Sequence, residues 1–127
     1  MTKILFIGLG GFLGAILRYW VSGWAQNLSG SASFPYGTLA VNLMGCLAVG
    51  LLSQWAEVSQ VMTPETRLFL FIGLLGAFTT FSTFSNETLN LLRDGQTFFS
   101  LMNIGASLFL GLLAVWLGHR FGQIIWK

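Results

Sequence analysis

The feature that most constrains this chain is an apolar run from about Leu68 to about Leu92 that carries a polar patch in its middle. The run is long enough to cross a hydrocarbon core of about 30 Å. The patch reads Gly73-Leu-Leu-Gly-Ala-Phe-Thr-Thr-Phe-Ser-Thr-Phe-Ser-Asn-Glu87. Two glycines followed by hydroxyls, an amide and a carboxyl group are poorly suited to facing lipid. An unsatisfied backbone group in hydrocarbon costs several kcal/mol, so a helix broken there must be buried in protein or line water. Broken helices at mid-membrane, with freed carbonyls and half-helix ends, are where ions are held. The patch therefore predicts the conduction element of a small ion-handling membrane protein, with the break between Gly73 and Thr79.

Composition agrees. Of 127 residues, 54% are hydrophobic and only 8% charged, against about a quarter charged in soluble domains. The net charge of +2 is too small and scattered for nucleic-acid binding. The single cysteine, Cys46, allows no internal disulfide or zinc-ligand set and is expected to be a small buried hydrophobe. No nucleophile–base pair, metal cluster or phosphate loop stands out, so an enzyme is not expected.

Three further apolar runs complete a four-span, all-α reading as one domain over residues 1–127, with spans near 4–25, 37–55, 68–92 and 98–121. The first is longer than the signal-peptide core of about 7–15 residues and is kept as a span. Gly10 and Gly14 give it a GxxxG surface, repeated by Gly118 and Gly122 in the last span. These pairs suit helix contact and self-association. Arg18, followed by Tyr19 and Trp20, either snorkels to headgroups or turns inward to draw anions to an aqueous mouth.

Asn27 to Pro35 is punctuated as a loop. Asn42 is the polar intruder of the second span. It serves either an interhelical hydrogen bond, worth about 0.6 kcal/mol on average in membranes, or as an amide donor to a passing anion. Thr63-Pro-Glu-Thr is a helix start and Gly95 a helix stop. Asn103 and Ser107 lie one turn apart on the last span. Four spans put both termini on one side, with Lys3, Arg67, Arg120 and Lys127 there and Arg18 and Arg93 opposite. The bias weakly favours cytoplasmic termini and leaves insertion in both orientations open.

Within the patch, Phe81 and Phe84 fall at i, i+3 on a shared helical face. An aromatic ring has a positive edge that can touch an anion without a full positive charge. Thr80, Ser82, Thr83 and Ser85 add hydroxyl donors that rotate to suit an ion and hold it loosely. The alternative is that the hydroxyls bond back to their own helix and the rings merely pack. Glu87, two turns beyond Thr80, is a vestibule residue or a satisfied helix-end carboxylate.

Three stretches carry a resemblance to a known family. Gly-Ala-Phe-Thr-Thr-Phe-Ser-Thr-Phe-Ser-Asn-Glu at 76–87, Gly-Ala-Ile-Leu-Arg ending at Arg18, and Gly-Thr-Leu-Ala-Val-Asn-Leu-Met-Gly at 37–45 resemble the Fluc (CrcB-type) fluoride channels. The resemblance spans essentially the whole chain. It implies an antiparallel, dual-topology homodimer in the bacterial inner membrane, passing fluoride selectively over chloride by electrodiffusion and conferring fluoride resistance. By position it makes Phe81 and Phe84 the ring-edge residues, Asn42 the amide donor, and Ser82 and Thr83 the polar track. It makes Arg18 and Glu87 vestibule residues. It implies a structural sodium ion at the dimer centre on the carbonyls of Gly76 and Thr79. Ser107 matches a family serine, whereas Asn103 stands where some relatives carry tyrosine, which leaves the fourth span's share of the path open. Two other classes stay in play. A small multidrug-type exporter would need a carboxylate in the first span, which has no Asp or Glu. A non-transporting scaffold would use the third span for assembly only.

Overall fold

The computed structural model describes residues Met1 to Trp126; Lys127, counted above among the terminal-side cations, lies outside the described residues. The described residues form helices long and apolar enough for four membrane spans. We label them α1 (Thr2–Ser29), α2 (Tyr36–Val58), the two halves of the third span α3 (residues 64–78) and α4 (Phe81–Arg93), and α5 (Thr97–Ile125). The chain is a multi-pass membrane protein, and the all-helical, four-span expectation holds.

Each span runs further than its apolar stretch suggests. α1 continues through Asn27, Leu28 and Ser29, which the sequence reading assigned to a loop. The helix stops where Gly30 takes a left-handed conformation (φ 64°), a geometry that a residue with a Cβ disfavours. The gap between the expected second and third spans shrinks in the same way, with α2 helical to Val58 and α3 starting at Pro64. Thr63 caps α3 by accepting the Thr66 N–H at 3.2 Å. After α4, Gly95 (φ 74°) donates to Leu92 O and Gln96 to Leu91 O, the paired bonds that satisfy the last carbonyls of a helix.

Helices pack in this chain through glycine. A Cβ on Gly14 would collide with the Leu74 carbonyl oxygen, and one on Gly73 would sit 2.7 Å from the Ile7 carbonyl oxygen, so α1 and α3 touch backbone to backbone. α2 and α5 repeat the arrangement: Gly50 faces the Val115 carbonyl, Gly118 the Leu47 carbonyl, and Gly122 the Gln54 side chain. Both GxxxG pairs are thus used inside the chain: the expected close helix contact holds, and it is between helices of one chain. With backbones this close, little side-chain volume is enclosed. The buried apolar core among the described residues is Phe34, Val41, Leu75, Phe78 and Leu91. Large apolar side chains such as Leu9, Phe12, Phe109 and Trp116 face outward, as a lipid-facing surface requires.

The third span is interrupted, at the end of the expected Gly73–Thr79 window and one residue beyond it. Gly73 and Gly76 remain helical: residues Leu68–Leu75 are wound as a π-helix, and Gly76–Phe78 close with α geometry. Only Thr79 (ψ 157°) and Thr80 (φ −152°) leave the helix, near the middle of the span. The two glycines therefore do not make the break. Gly73 admits α1, whereas the interruption is made by a side chain from α2, described next.

Candidate functional site

Asn42 on α2 grips the peptide groups of Thr80 from both sides. Its Oδ1 accepts the Thr80 N–H at 2.8 Å, and its Nδ2 donates to the Thr80 carbonyl at 3.1 Å. In a continuous helix the Thr80 N–H would bond to the Gly76 carbonyl. Diverted to Asn42, it leaves that carbonyl without its helical donor. Thr79 N–H and Thr79 Oγ1 both donate to Leu75 O, at 3.0 and 2.9 Å, closing the end of α3. Thr80 Oγ1 then caps α4 by accepting the Thr83 N–H at 3.3 Å. The side chains of Asn42, Thr79 and Thr80 thus bond peptide groups that lipid would leave unmet, so the break is built and not merely tolerated.

On one side of the break lies a cleft of ≈ 510 Å³, whose lining includes Asn42, Cys46, Thr80, Phe81, Phe84 and Ser107. It brings four of the six expected pathway residues together. The rings of Phe81 and Phe84 stand 5.6 Å apart between centroids, tilted by 46°. Phe81 is 79% exposed on this single chain. Ser107 reaches the cleft from a π-wound turn of α5, Ala106–Leu110, and its buried hydroxyl has no partner. π-turns shift side-chain register and often mark functional sites. Cys46, expected to be buried, is half-exposed in the same cleft.

Ser82 and Thr83 do not line this cleft. Thr83 faces a second cavity of ≈ 440 Å³ with Arg18, Thr38, Val41 and Thr80. Ser82 is exposed, 3.5 Å from Thr80 Oγ1. Arg18 is half-buried and lines the same cavity. Back-bonding accounts for part of the hydroxyl crowd: Ser85 donates to the Phe81 carbonyl at 3.0 Å and Thr88 to that of Phe84 at 2.7 Å.

A third cavity, ≈ 540 Å³, opens toward the 30–35 and 94–96 loops and is lined by Gln26, Thr38, Glu87, Asn90, Asp94 and Gln96 among others. Glu87 Oε1 accepts from Thr38 Oγ1 at 2.7 Å, while Oε2 is buried without a partner, so the carboxylate is only half satisfied. Shared walls link the three spaces. Thr38 belongs to the loop-end cavity and the Arg18 cavity, and Thr80 to the Arg18 cavity and the cleft. Together they form a row of polar side chains from the loop end to the break.

Sequence reasoning missed Thr38 as a site residue. Its signal was present, since it sits four residues before Asn42 and therefore on the same helical face. It also missed Thr88, which looked like one more hydroxyl in a helix. For a hard cation the available chemistry is main-chain oxygen: among the described residues no group of three or more His, Cys, Asp or Glu could hold a metal. Gly76, whose carbonyl has lost its helical donor, and Thr79, whose extended backbone carries its carbonyl out of the helix, fit that chemistry.

The comparisons with known proteins point one way. Residues 5–119 match the model of the family described as CrcB-like protein, Camphor Resistance (CrcB). A protein of Geotalea daltonii named fluoride-specific ion channel FluC is 44% identical over 125 residues, covering 98% of this chain and all of that one. Fluoride-specific ion channel FluC 1 of Methanosarcina acetivorans is 48% identical over 93% of this chain and 88% of its own. A protein of Shewanella denitrificans named fluoride-specific ion channel FluC is 48% identical over 94% of this chain and 95% of its own. With the family model and full-length relatives in agreement, the chain belongs to the CrcB family.

Proposed function

We propose that this chain is a fluoride-specific ion channel that lets fluoride leave the cell by passive electrodiffusion and so confers resistance to it. The relatives' shared name supports the ion, and one structural observation carries the reading to residues. Phe81, Phe84, Asn42 and Ser107 meet in one cleft beside the break, with the Ser107 hydroxyl unpartnered. A small, strongly hydrated anion gives up water only where other donors replace it. Ring edges of Phe81 and Phe84, the free proton of the Asn42 amide and the Ser107 hydroxyl are such donors, and none carries a full charge that would trap the ion. Ser82 and Thr83 extend the donors as a polar track. Arg18 and Glu87 line the vestibule, where the guanidinium raises the local anion concentration.

The working unit in this reading is an antiparallel, dual-topology homodimer in the bacterial inner membrane. The row of cavities runs from the loop end to the break in mid-span, and a second, inverted copy would continue it to the other side. The exposed Phe81 and the exposed hydroxyl face of α4 (Ser82, Thr83, Ser85) would otherwise meet lipid. A structural sodium ion at the dimer centre would be held by the carbonyls of Gly76 and Thr79. When bound it supplies a fixed positive charge beside the break.

Liposomes loaded with potassium fluoride, made permeable to potassium with an ionophore so that charge leaves in balance, and read with a fluoride electrode test the reading. Unmodified protein is expected to empty them. Phe81→Ile and Phe84→Ile, still dimeric, are expected to be slower by about tenfold, the equivalent of about 1.4 kcal/mol of lost ring interaction. Full-rate efflux from both variants would overturn the cleft assignment. No flux from well-folded unmodified protein would overturn the channel and favour a scaffold, and proton-coupled uptake of a cationic dye would favour an exporter.

A further inference from the structure

We propose that Asn103 and Thr88 are positioning residues for Phe84, setting from the last span the placement of its ring at the cleft. The proposal rests on the reading of Phe84 as a pathway residue. Away from the cleft, α4 and α5 are joined by a buried polar cluster: Asn103 is 2% exposed, Ser100 0% and Thr88 8%. Asn103 Nδ2 donates to Thr88 Oγ1 at 2.9 Å, Thr88 Oγ1 donates to the Phe84 carbonyl oxygen at 2.7 Å, and Ser100 Oγ donates to the Thr88 carbonyl at 3.2 Å.

The direction of these bonds matters. A hydroxyl has one proton, and the Asn103 amide supplies an N–H to the Thr88 oxygen, so the Thr88 proton is free for the Phe84 carbonyl. That carbonyl carbon is two bonds from the Cβ that bears the ring. The relay Asn103–Thr88–Phe84 thus ties the main chain at the ring to α5. Ser107, one turn beyond Asn103, lines the cleft directly. α5 therefore acts on the cleft twice, once through its own hydroxyl and once through another helix's backbone. An ion stop at the cluster itself does not fit: one N–H of the Asn103 amide and the Thr88 and Ser100 protons are engaged, and none of the three residues lines the cleft, the Arg18 cavity or the loop-end cavity.

Fluoride efflux and fluoride-over-chloride selectivity of dimeric variants test the relay. Thr88→Val keeps the shape and removes two bonds. It is expected to slow efflux about tenfold and to relax selectivity, while Thr88→Ser stays within about twofold of the unmodified protein. Asn103→Ala, which keeps the Thr88 hydroxyl but removes the N–H that its oxygen accepts, is expected to cost about threefold, and it carries the comparison if Thr88→Val yields no dimer. Added to Phe84→Ile, Thr88→Val is expected to do little more, because it acts through that ring. Full-rate Thr88→Val, an equally impaired Thr88→Ser, or the same loss with and without Phe84 would each overturn the relay. A Phe84→Ile protein at full rate would bring down the pathway reading along with it. An impaired Phe84→Ile beside an unaffected Thr88→Val would bring down the relay alone.

Discussion

The glycine seams and the seam at Thr80 meet the same solvent with opposite solutions. Where α1 meets α3 and α2 meets α5, Gly14, Gly73, Gly50 and Gly118 remove side chains so that backbones touch and dispersion does the work. Where α2 meets the break, Asn42 adds a side chain that takes over hydrogen bonds a helix would have made for itself. The first arrangement tolerates no added atom and offers an ion nothing. The second costs helical bonds and returns a cleft lined by donors. A lipid-embedded protein with little apolar core needs the former to hold still and the latter to conduct.

Breaking the glycine seam should have the largest effect. Gly118→Val places its Cβ against the Leu47 carbonyl, where backbone and not a flexible side chain must yield. The expected cost exceeds the roughly 1–3 kcal/mol of ordinary overpacking, so folded protein is lost in size-exclusion profiles of detergent extracts. Asn42→Leu attacks the other seam. It is expected to leave the protein extractable, lower its stability by about 1–3 kcal/mol through the two unmet peptide groups, and abolish most fluoride efflux. Thr38→Val, one turn from Asn42, removes only the bond to Glu87. It sharpens the comparison with an expected efflux loss of about threefold and a smaller loss of stability than Asn42→Leu, since one bond is lost and not two. Cys46→Ala changes the cleft wall without touching a proposed donor, and both efflux and stability should stay within about 1 kcal/mol of the unmodified protein.

How much of this was legible in the sequence depended on which interactions were local. The four spans follow from apolar length, and the helix start at Thr63 and stop at Gly95 follow from capping chemistry within a few residues. Phe81 and Phe84 on one face follow from the helical period. What makes the break did not. Gly73 and Gly76 looked like breakers, but Gly73 is a contact site for α1, and the helix ends where Asn42, 38 residues earlier in the chain, captures Thr80. Asn42 was seen as either an interhelical bond or an ion donor; its first role is now visible, and its remaining amide proton leaves the second intact. The polar link of Asn103 to Thr88 likewise joins separate spans, and no periodicity within one helix could reveal it.

Because the interruption at Thr79 and Thr80 is held by a residue of an earlier span, it cannot exist while the third span crosses the bilayer alone. A lone 64–93 segment would keep its own hydrogen bonds and enter lipid as an unbroken rod. Only after docking against Asn42 would it open. The order of biogenesis is therefore written into one amide side chain: insertion first, then assembly, and the conducting shape last.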